Sequence, residues 1–587
     1  MDQLTNDKDP KQDTVNLLII AISTAIVLVF VKRTFWVADD FVYMQILSKS
    51  DLSWNLLTQS YNQHVVPLFI FSWWFVYKIS NGNYIYAEII MTAGYIYLCI
   101  SFLSLIKLFH LTSRQTHFLL IMFCTSLLII HNFLWWAAFL SFLLPIILII
   151  NFTKHSIKFK ESHKKIDFAL GLIFYIASTL YFEKMAIYSI FILIFVLFYD
   201  NYNLNYKKSI STLKEMKYYW ATIFIWTIFI AYLYLASNSL SQTQGRPTIL
   251  KMVMYCKFIY TKYFTPRVFG LDPGYFNILG NQRITQIFSV VIILFALLLI
   301  IKLKKFYAFF LLYLLFFVAV NESVVAYGRL NSYGYTLGNE IRYHLDSYFM
   351  FMLVLALTLK YVNSKDVKLF KSKFYKIALM VLLALVVLFN LRTLNADSYN
   401  FITYYAKTFH QNLKSARDKT IVNTMINERY IDIGNREDNQ LSSIQNLLHL
   451  NIKTTDIGDT IMLPSGKTLN LSRLSKLKTT PIQTNELCAA TNNISTVLES
   501  PQVSEYIAFT LLGDVNNLDY ITVTDHNKTT KSYTFDDRES DAKSFAFSTL
   551  YLFDKGELSI GFYFDEPSNN CIEDISLIDR INFRTKI

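Results

Sequence analysis

Two adjacent carboxylates, Asp39 and Asp40, stand in the run Trp36-Val37-Ala38-Asp39-Asp40-Phe41, a few residues past the first long apolar segment. On a helix they point about 100° apart, so only one can face a given substrate atom. One can take a proton from a hydroxyl while the other orients it, binds a cation or holds a neighbouring amide. The same pair would serve equally as a helix N-cap or a solvated acidic turn.

Three further motifs carry ionisable groups beside apolar sequence. Asn62-Gln63-His64-Val65-Val66-Pro67-Leu68-Phe69 leads into a short apolar stretch, Tyr181-Phe182-Glu183-Lys184 interrupts a long one, and Arg342-Tyr343-His344-Leu345-Asp346 opens another. Charged groups at the end of a membrane span normally face a cavity. The stretch 238–285 holds Arg246, Lys251, Lys257, Lys262, Arg267 and Arg283 against Asp272 alone. Such a surplus suits an anionic partner, a lipid phosphate or an acidic wall polymer, and a long loop that tolerates charge would look the same. Rings such as Trp135, Trp136 and Tyr343 could stack on sugars.

These motifs need elements to position them, and the composition says where those elements lie. Of 587 residues, 53% are hydrophobic and 17% charged, with a mean hydropathy of +0.33. The apolar residues fall in blocks near the length that crosses the roughly 30 Å hydrocarbon layer. The pattern predicts an α-helical polytopic membrane protein with about eleven transmembrane helices. The expected spans are 15–31, 84–107, 116–131, 133–152, 168–182, 185–199, 218–237, 286–301, 306–321, 346–361 and 376–393. The first reads as a retained signal-anchor, because no small-residue cleavage site follows it.

Two choices fix the topology. Segment 65–79 is short, carries Pro67 and the pair Trp73-Trp74, and is expected to lie in the interface. Segment 168–199 is split, because Glu183 and Lys184 in mid-helix would sit near the bilayer centre at high cost. With the N-terminus inside, the loops 107–115, 152–167, 200–217, 302–305 and 360–376 hold 2, 5, 4, 3 and 6 Lys or Arg and all face the cytoplasm. That obeys the positive-inside tendency. It also turns the net charge of +12 into an orientation signal, so nucleic acid is excluded as a partner. The candidate motifs then share the outer face.

The organisation expected is a transmembrane domain over 1–393 and an extracytoplasmic domain over 394–587. In the latter, a helical neck from Ser398 to Tyr430 precedes alternating runs such as YIAFTLL, YITVT, SFAFSTLYLF and LSIGFYF, which predict an α+β or β-sandwich-like module. Cys488 and Cys571 could pair there or remain thiols. Gly466-Lys467-Thr468 resembles the end of a phosphate loop, but Ile461 stands where its first glycine belongs. No HExxH or CxxC spacing supports a zinc site. A divalent cation could bind at Asp39 or Asp40, though too few ligands are visible to claim one.

The order of these motifs resembles the GT-C class of integral-membrane glycosyltransferases, which includes protein O-mannosyltransferases and bacterial enzymes that decorate surface polysaccharides. The resemblance covers roughly residues 15–393. It rests on Asp-Asp in a first external loop, His-x-x-Pro-Leu-Phe before an interfacial helix, and a later Phe-Glu-Lys. It implies a polyprenyl-phosphate-sugar donor and a glycan, wall-polymer, lipid or protein acceptor outside the cytoplasm. It also implies Asp39 or Asp40 as general base in an inverting transfer, and His64 near acceptor or sugar. Glu183 and Lys184 would line the cavity, with Arg342 and Tyr343 by the lipid phosphate. Arg246, Lys251, Lys257, Lys262 and Arg267 are further phosphate candidates. Ile70 departs from the pattern, since relatives often carry a basic residue after Pro-Leu-Phe. A transporter or flippase for lipid-linked saccharides would share the spans and basic loop. A ligase joining glycans to a surface carrier would also leave a polyprenyl phosphate behind.

Overall fold

The computed structural model describes residues 10–37, 39–59, 64–201, 203–236, 247–271, 286–294, 305–364, 373–395, 406–423, 441–450, 452–455 and 457–462, followed by strands at 468–470, 480–483, 487–488, 493–500, 506–512, 518–524, 530–534, 544–548, 556–564 and 571–578. The chain divides into two compact units. One holds Met1–Thr34, Ser50–Val76 and Ile85–Asn400, and the other Phe35–Lys49, Tyr77–Tyr84 and Phe401–Ile587.

The first unit is helical. Gln12–Val31, Ile85–Phe109, Trp136–Ser162 and Lys305–Asn331 are each long and apolar enough to cross a membrane. Counting each of two bent pairs as one span gives an upper limit of six among the described residues. Such helices mark a membrane protein. Other segments of the expected eleven are shorter: Lys165–Tyr181 runs 17 residues and Met185–Phe198 only 14. At 1.5 Å per residue the latter spans about 21 Å.

The expected single span 116–131 is broken. Ser113–Cys124 and Leu127–Phe133 meet at 44°, and Ser126 caps the second helix by accepting from the Leu128 amide at 3.2 Å. The expected span 306–321 continues instead to Tyr333. Pro67, which needs no amide partner, starts the helix Pro67–Ser80. Glu183 and Lys184 fall in the turn between Tyr181 and Met185, where Phe182 is extended (φ −157°, ψ 108°). The ionisable pair therefore interrupts the helix and is not carried through it.

In the second unit the helix Asp39–Ser48 packs on Leu441–Leu447. Trp36 Nε1 donates to the Gly82 carbonyl at 2.8 Å, and Tyr84 meets the Trp36 ring edge-on at 4.8 Å. Gly82 has φ +77°, which favours glycine, and a Cβ there would press tightly on the Leu447 carbonyl at 3.0 Å. One antiparallel sheet orders Thr530–Thr534, Leu518–Thr524, Gly556–Phe564 and Asn493–Ser500. A second orders Ile457–Gly458, Ser544–Ser548, Tyr506–Leu512, Cys571–Ile578 and Thr480–Gln483. Phe509 of the second sheet meets Phe562 of the first at 5.2 Å, and Phe545 lies 5.9 Å from Phe509. Cys571 is disulfide-bonded and lies opposite Cys488 in the ladder register. Of the expected helical neck, Ala406–Lys414 is a helix and Thr420–Val422 a strand, parallel to Lys453–Thr455.

His410 stacks on Phe35 at 3.7 Å. Burial, then the charges of Lys414 and Lys407, hold its imidazole down to about 4. Unfolded, it would titrate near 6.5. Between these values the unfolded chain binds a proton that the folded one does not, so stability falls as the pH drops through that window. Discounted for partial exposure, the loss should reach about 2 kcal/mol by pH 4. Hydrogen exchange of 406–414 from pH 7 to 4 should show protection declining in the native chain. The His410→Phe chain should show a flatter profile.

Candidate functional site

Four of the sequence-predicted residues converge in the first unit. His64 Nδ1 lies 2.6 Å from Glu183 Oε1, and its Nε2 lies 3.5 Å from a terminal nitrogen of Arg329. A guanidinium only donates, so Nε2 accepts and Nδ1 carries the proton toward the carboxylate. Arg329 also sits over the Tyr343 ring at 5.6 Å. The guanidinium of Arg342 lies over the same ring at 5.4 Å and over Trp135 at 4.7 Å, with its Nε 3.3 Å from Glu340.

A wall of rings joins these groups. Phe182 meets His64 edge-on at 5.5 Å and Phe142 at 5.2 Å, and Phe142 meets Tyr343 at 5.6 Å. The site thus joins an imidazole–carboxylate couple to two cations, Arg329 touching the imidazole and Arg342 sharing the Tyr343 ring with it. Among the described residues Arg329 has no carboxylate within 4 Å. Two guanidiniums, Arg329 and Arg342, share the Tyr343 ring as an aromatic platform, with Glu340 beside Arg342.

A buried polar layer holds this arrangement. Lys184 Nζ and Asp346 Oδ2 are 2.8 Å apart, both buried, as an ion pair without the alignment of a hydrogen bond. Glu322 Oε1 lies 3.0 Å from His344 Nδ1 and accepts from the Ser347 hydroxyl at 3.4 Å. His344 Nε2 meets the Gly338 carbonyl at 3.0 Å, and the same oxygen accepts from Arg267 at 2.8 Å. Arg267 also donates to the Asn339 carbonyl at 3.0 Å. Two side chains, Arg267 and His344, therefore tie down the backbone just before the short 3₁₀ turn Ile341–His344, which presents Arg342 and Tyr343.

Other predicted residues lie elsewhere. Arg267 is buried with its guanidinium on backbone carbonyls, so it positions that turn and cannot also face bulk lipid. Lys251 and Lys257 stand on the helix Ile249–Phe258, and Lys262 lies 5.2 Å over Tyr263. None of the three contacts the cluster among the described residues. Arg246, Asp272, Arg283, Asn62 and Gln63 lie outside the described residues. Trp136 is fully buried against Trp73 at 5.9 Å and cannot stack on a sugar; Trp135 is buried as well, with the Arg342 guanidinium over its ring. Ile70 is buried as well.

Asp39 and Asp40 belong to the other compact unit. Asp40 is fully buried, and its Oδ2 accepts from the Val37 amide at 3.0 Å, which secures the start of the helix Asp39–Ser48. Asp39, one residue earlier, is only half-buried. Among the described residues no group of three or more His, Cys, Asp or Glu is arranged to hold a metal ion.

Sequence reasoning missed Arg329 and Glu322. The available signal was two ionisable residues seven apart, hence two turns along one face, continuing an apolar helix beyond residue 321.

No family model matches this chain, and no curated protein matches it. Among solved structures it is similar to the crystal structure of ArnT from Cupriavidus metallidurans bound to undecaprenyl phosphate. The identity is 10% over 75% of this chain and 85% of that one, with a TM-score of 0.26. A score that low leaves residue correspondences between the two undefined.

Proposed function

We propose that this membrane protein is a glycosyltransferase of the GT-C type, moving a sugar from a polyprenyl-phosphate carrier to a glycan, wall-polymer, lipid or protein acceptor outside the cytoplasm. The observation that carries the reading is the pair of guanidiniums, Arg329 and Arg342, on the Tyr343 ring beside the His64–Glu183 couple. The leaving group of such a donor is a lipid phosphate. Cations fixed where its charge develops lower the barrier to breaking the sugar–oxygen bond.

In the step proposed, an acceptor oxygen attacks the anomeric carbon from the face opposite the phosphate. Its proton passes to a carboxylate, assigned to Asp39 or Asp40 on their adjacency in sequence and on the family resemblance. The carbon–oxygen bond to phosphate breaks with its electron pair, leaving the polyprenyl phosphate and an inverted linkage. Trp135 and Tyr343, both buried, carry the guanidiniums on their rings, and His64, oriented by Glu183, offers a polar edge to a hydroxyl. The proposal includes eleven spans, a cytoplasmic N-terminus, and a division into 1–393 in the membrane and 394–587 outside it, with the surface polysaccharide of the cell envelope as the setting.

The test uses the full chain in lipid nanodiscs with polyprenyl-phosphate sugars labelled in the sugar. Native protein should release polyprenyl phosphate in step with labelled acceptor. Arg342→Gln should lower kcat by roughly a hundredfold or more, as loss of one fixed charge donor does elsewhere. Arg342→Lys should recover only part of it, because an ammonium lacks the planar fork. A donor that crosses proteoliposomes with its sugar–phosphate bond intact would make the chain a transporter instead.

A further inference from the structure

We infer that the helix Tyr206–Glu215 is a membrane-surface helix that binds anionic phospholipid headgroups. Its amphipathicity is inverted relative to a helix on a water-soluble surface. The side facing the protein carries Ser209 and Thr212, followed by Met216, all buried. Asn201 Nδ2 donates to Ser209 Oγ at 3.0 Å, and Asn205 caps the helix by accepting from the Lys207 amide at 3.0 Å. The apolar residues point outward: Tyr206 is 67% exposed, Ile210 47% and Leu213 40%. Spaced by four and three, they form one stripe along the helix. Water would oppose that arrangement, whereas the boundary between headgroups and acyl chains favours it.

Direction and charge agree. The helix meets Lys217–Leu233 at 77°, and the two pass as one broken span by composition. If the second crosses the bilayer near its normal, the first lies close to the bilayer plane. Lys208 is 3.3 Å from Asp200, which also pairs with Lys160 at 2.6 Å. Lys207 and Lys214 have no carboxylate within 4 Å among the described residues. Seven residues apart, they line one edge of the helix, next to the apolar stripe. Two uncompensated ammonium groups beside an exposed apolar stripe fit an anionic lipid surface, which attracts each lysine close to it.

Two measurements on the full chain in nanodiscs of phosphatidylcholine and phosphatidylglycerol test this. In the first, nitroxide is attached to Ile210→Cys or Ser211→Cys, with the unsubstituted chain labelled as baseline. Residue 210 should relax with dissolved oxygen, as lipid-exposed sites do, and residue 211 with a water-soluble nickel chelate. Both sites responding to nickel would overturn the inference. So would residue 210 being shielded from both relaxants, which would mean a protein partner covers the stripe. In the second, native mass spectrometry counts retained lipids. The double variant Lys207→Gln/Lys214→Gln should reduce the preference for phosphatidylglycerol by roughly thirtyfold, and the double arginine variant should keep it. An unchanged preference in the glutamine variant, with its helix content intact, would also overturn the inference.

Discussion

Asp39→Asn should lower the rate of sugar transfer by about 10²- to 10⁴-fold, the usual contribution of a positioned general base, while leaving membrane insertion and folding unchanged. Asparagine keeps the shape of the carboxylate and cannot accept the proton. The structure separates the two acids that look equivalent in sequence. Asp40 is buried and committed to the Val37 amide, so its carboxylate already has a structural task. Asp39 is half-buried and points about 100° away around the helix. Asp40→Asn can still accept from that amide and should cost less rate than Asp39→Asn. Asp40→Ala should instead lower stability by roughly 1 kcal/mol, as loss of a helix-start partner does. The assay is release of polyprenyl phosphate by protein of matched helix content. Full transfer in both asparagine variants would remove the general-base mechanism.

The second large effect concerns stability. Lys184→Met should destabilise the membrane unit by about 3 to 5 kcal/mol, because it strands the buried Asp346 carboxylate without its counter-charge. Adding Asp346→Leu should restore much of the loss, since an apolar pair avoids the desolvation cost that the ion pair only partly offsets. Thermal unfolding of detergent-solubilised protein measures both. The single variant should also lose activity more than its remaining folded fraction explains, because Glu183, the partner of His64, is the preceding residue. If Lys184→Met melted like the native chain, the pair would have no structural weight.

How much of this was legible follows from the cost of burying charge. Glu183 and Lys184 stood out because an ionisable pair inside an apolar run must break the helix or find partners, and here both happen. Pro67 fixed the start of its helix by lacking an amide proton. The strands Tyr506–Leu512 and Gly556–Phe564 were visible through alternation, a local property. Partners are not local. His64 meets Glu183 across 119 residues, and Arg329 reaches His64 across 265. The sharp turn at Thr125–Ser126 was hidden because both sides of it are equally apolar. Arg267 was placed among phosphate candidates on charge alone, and the carbonyls of Gly338 and Asn339 explain why it is buried.

The anchoring of residues 338–344 by Arg267 and His344 has a thermodynamic consequence. A segment already fixed by hydrogen bonds to its own backbone has little conformational freedom left to surrender when a ligand arrives. If Arg342 binds the lipid phosphate as proposed, its affinity is then governed by stripping water from charged groups, with only a small ordering penalty. Slackening that anchor would weaken binding through entropy even though every group that touches the ligand remained in place.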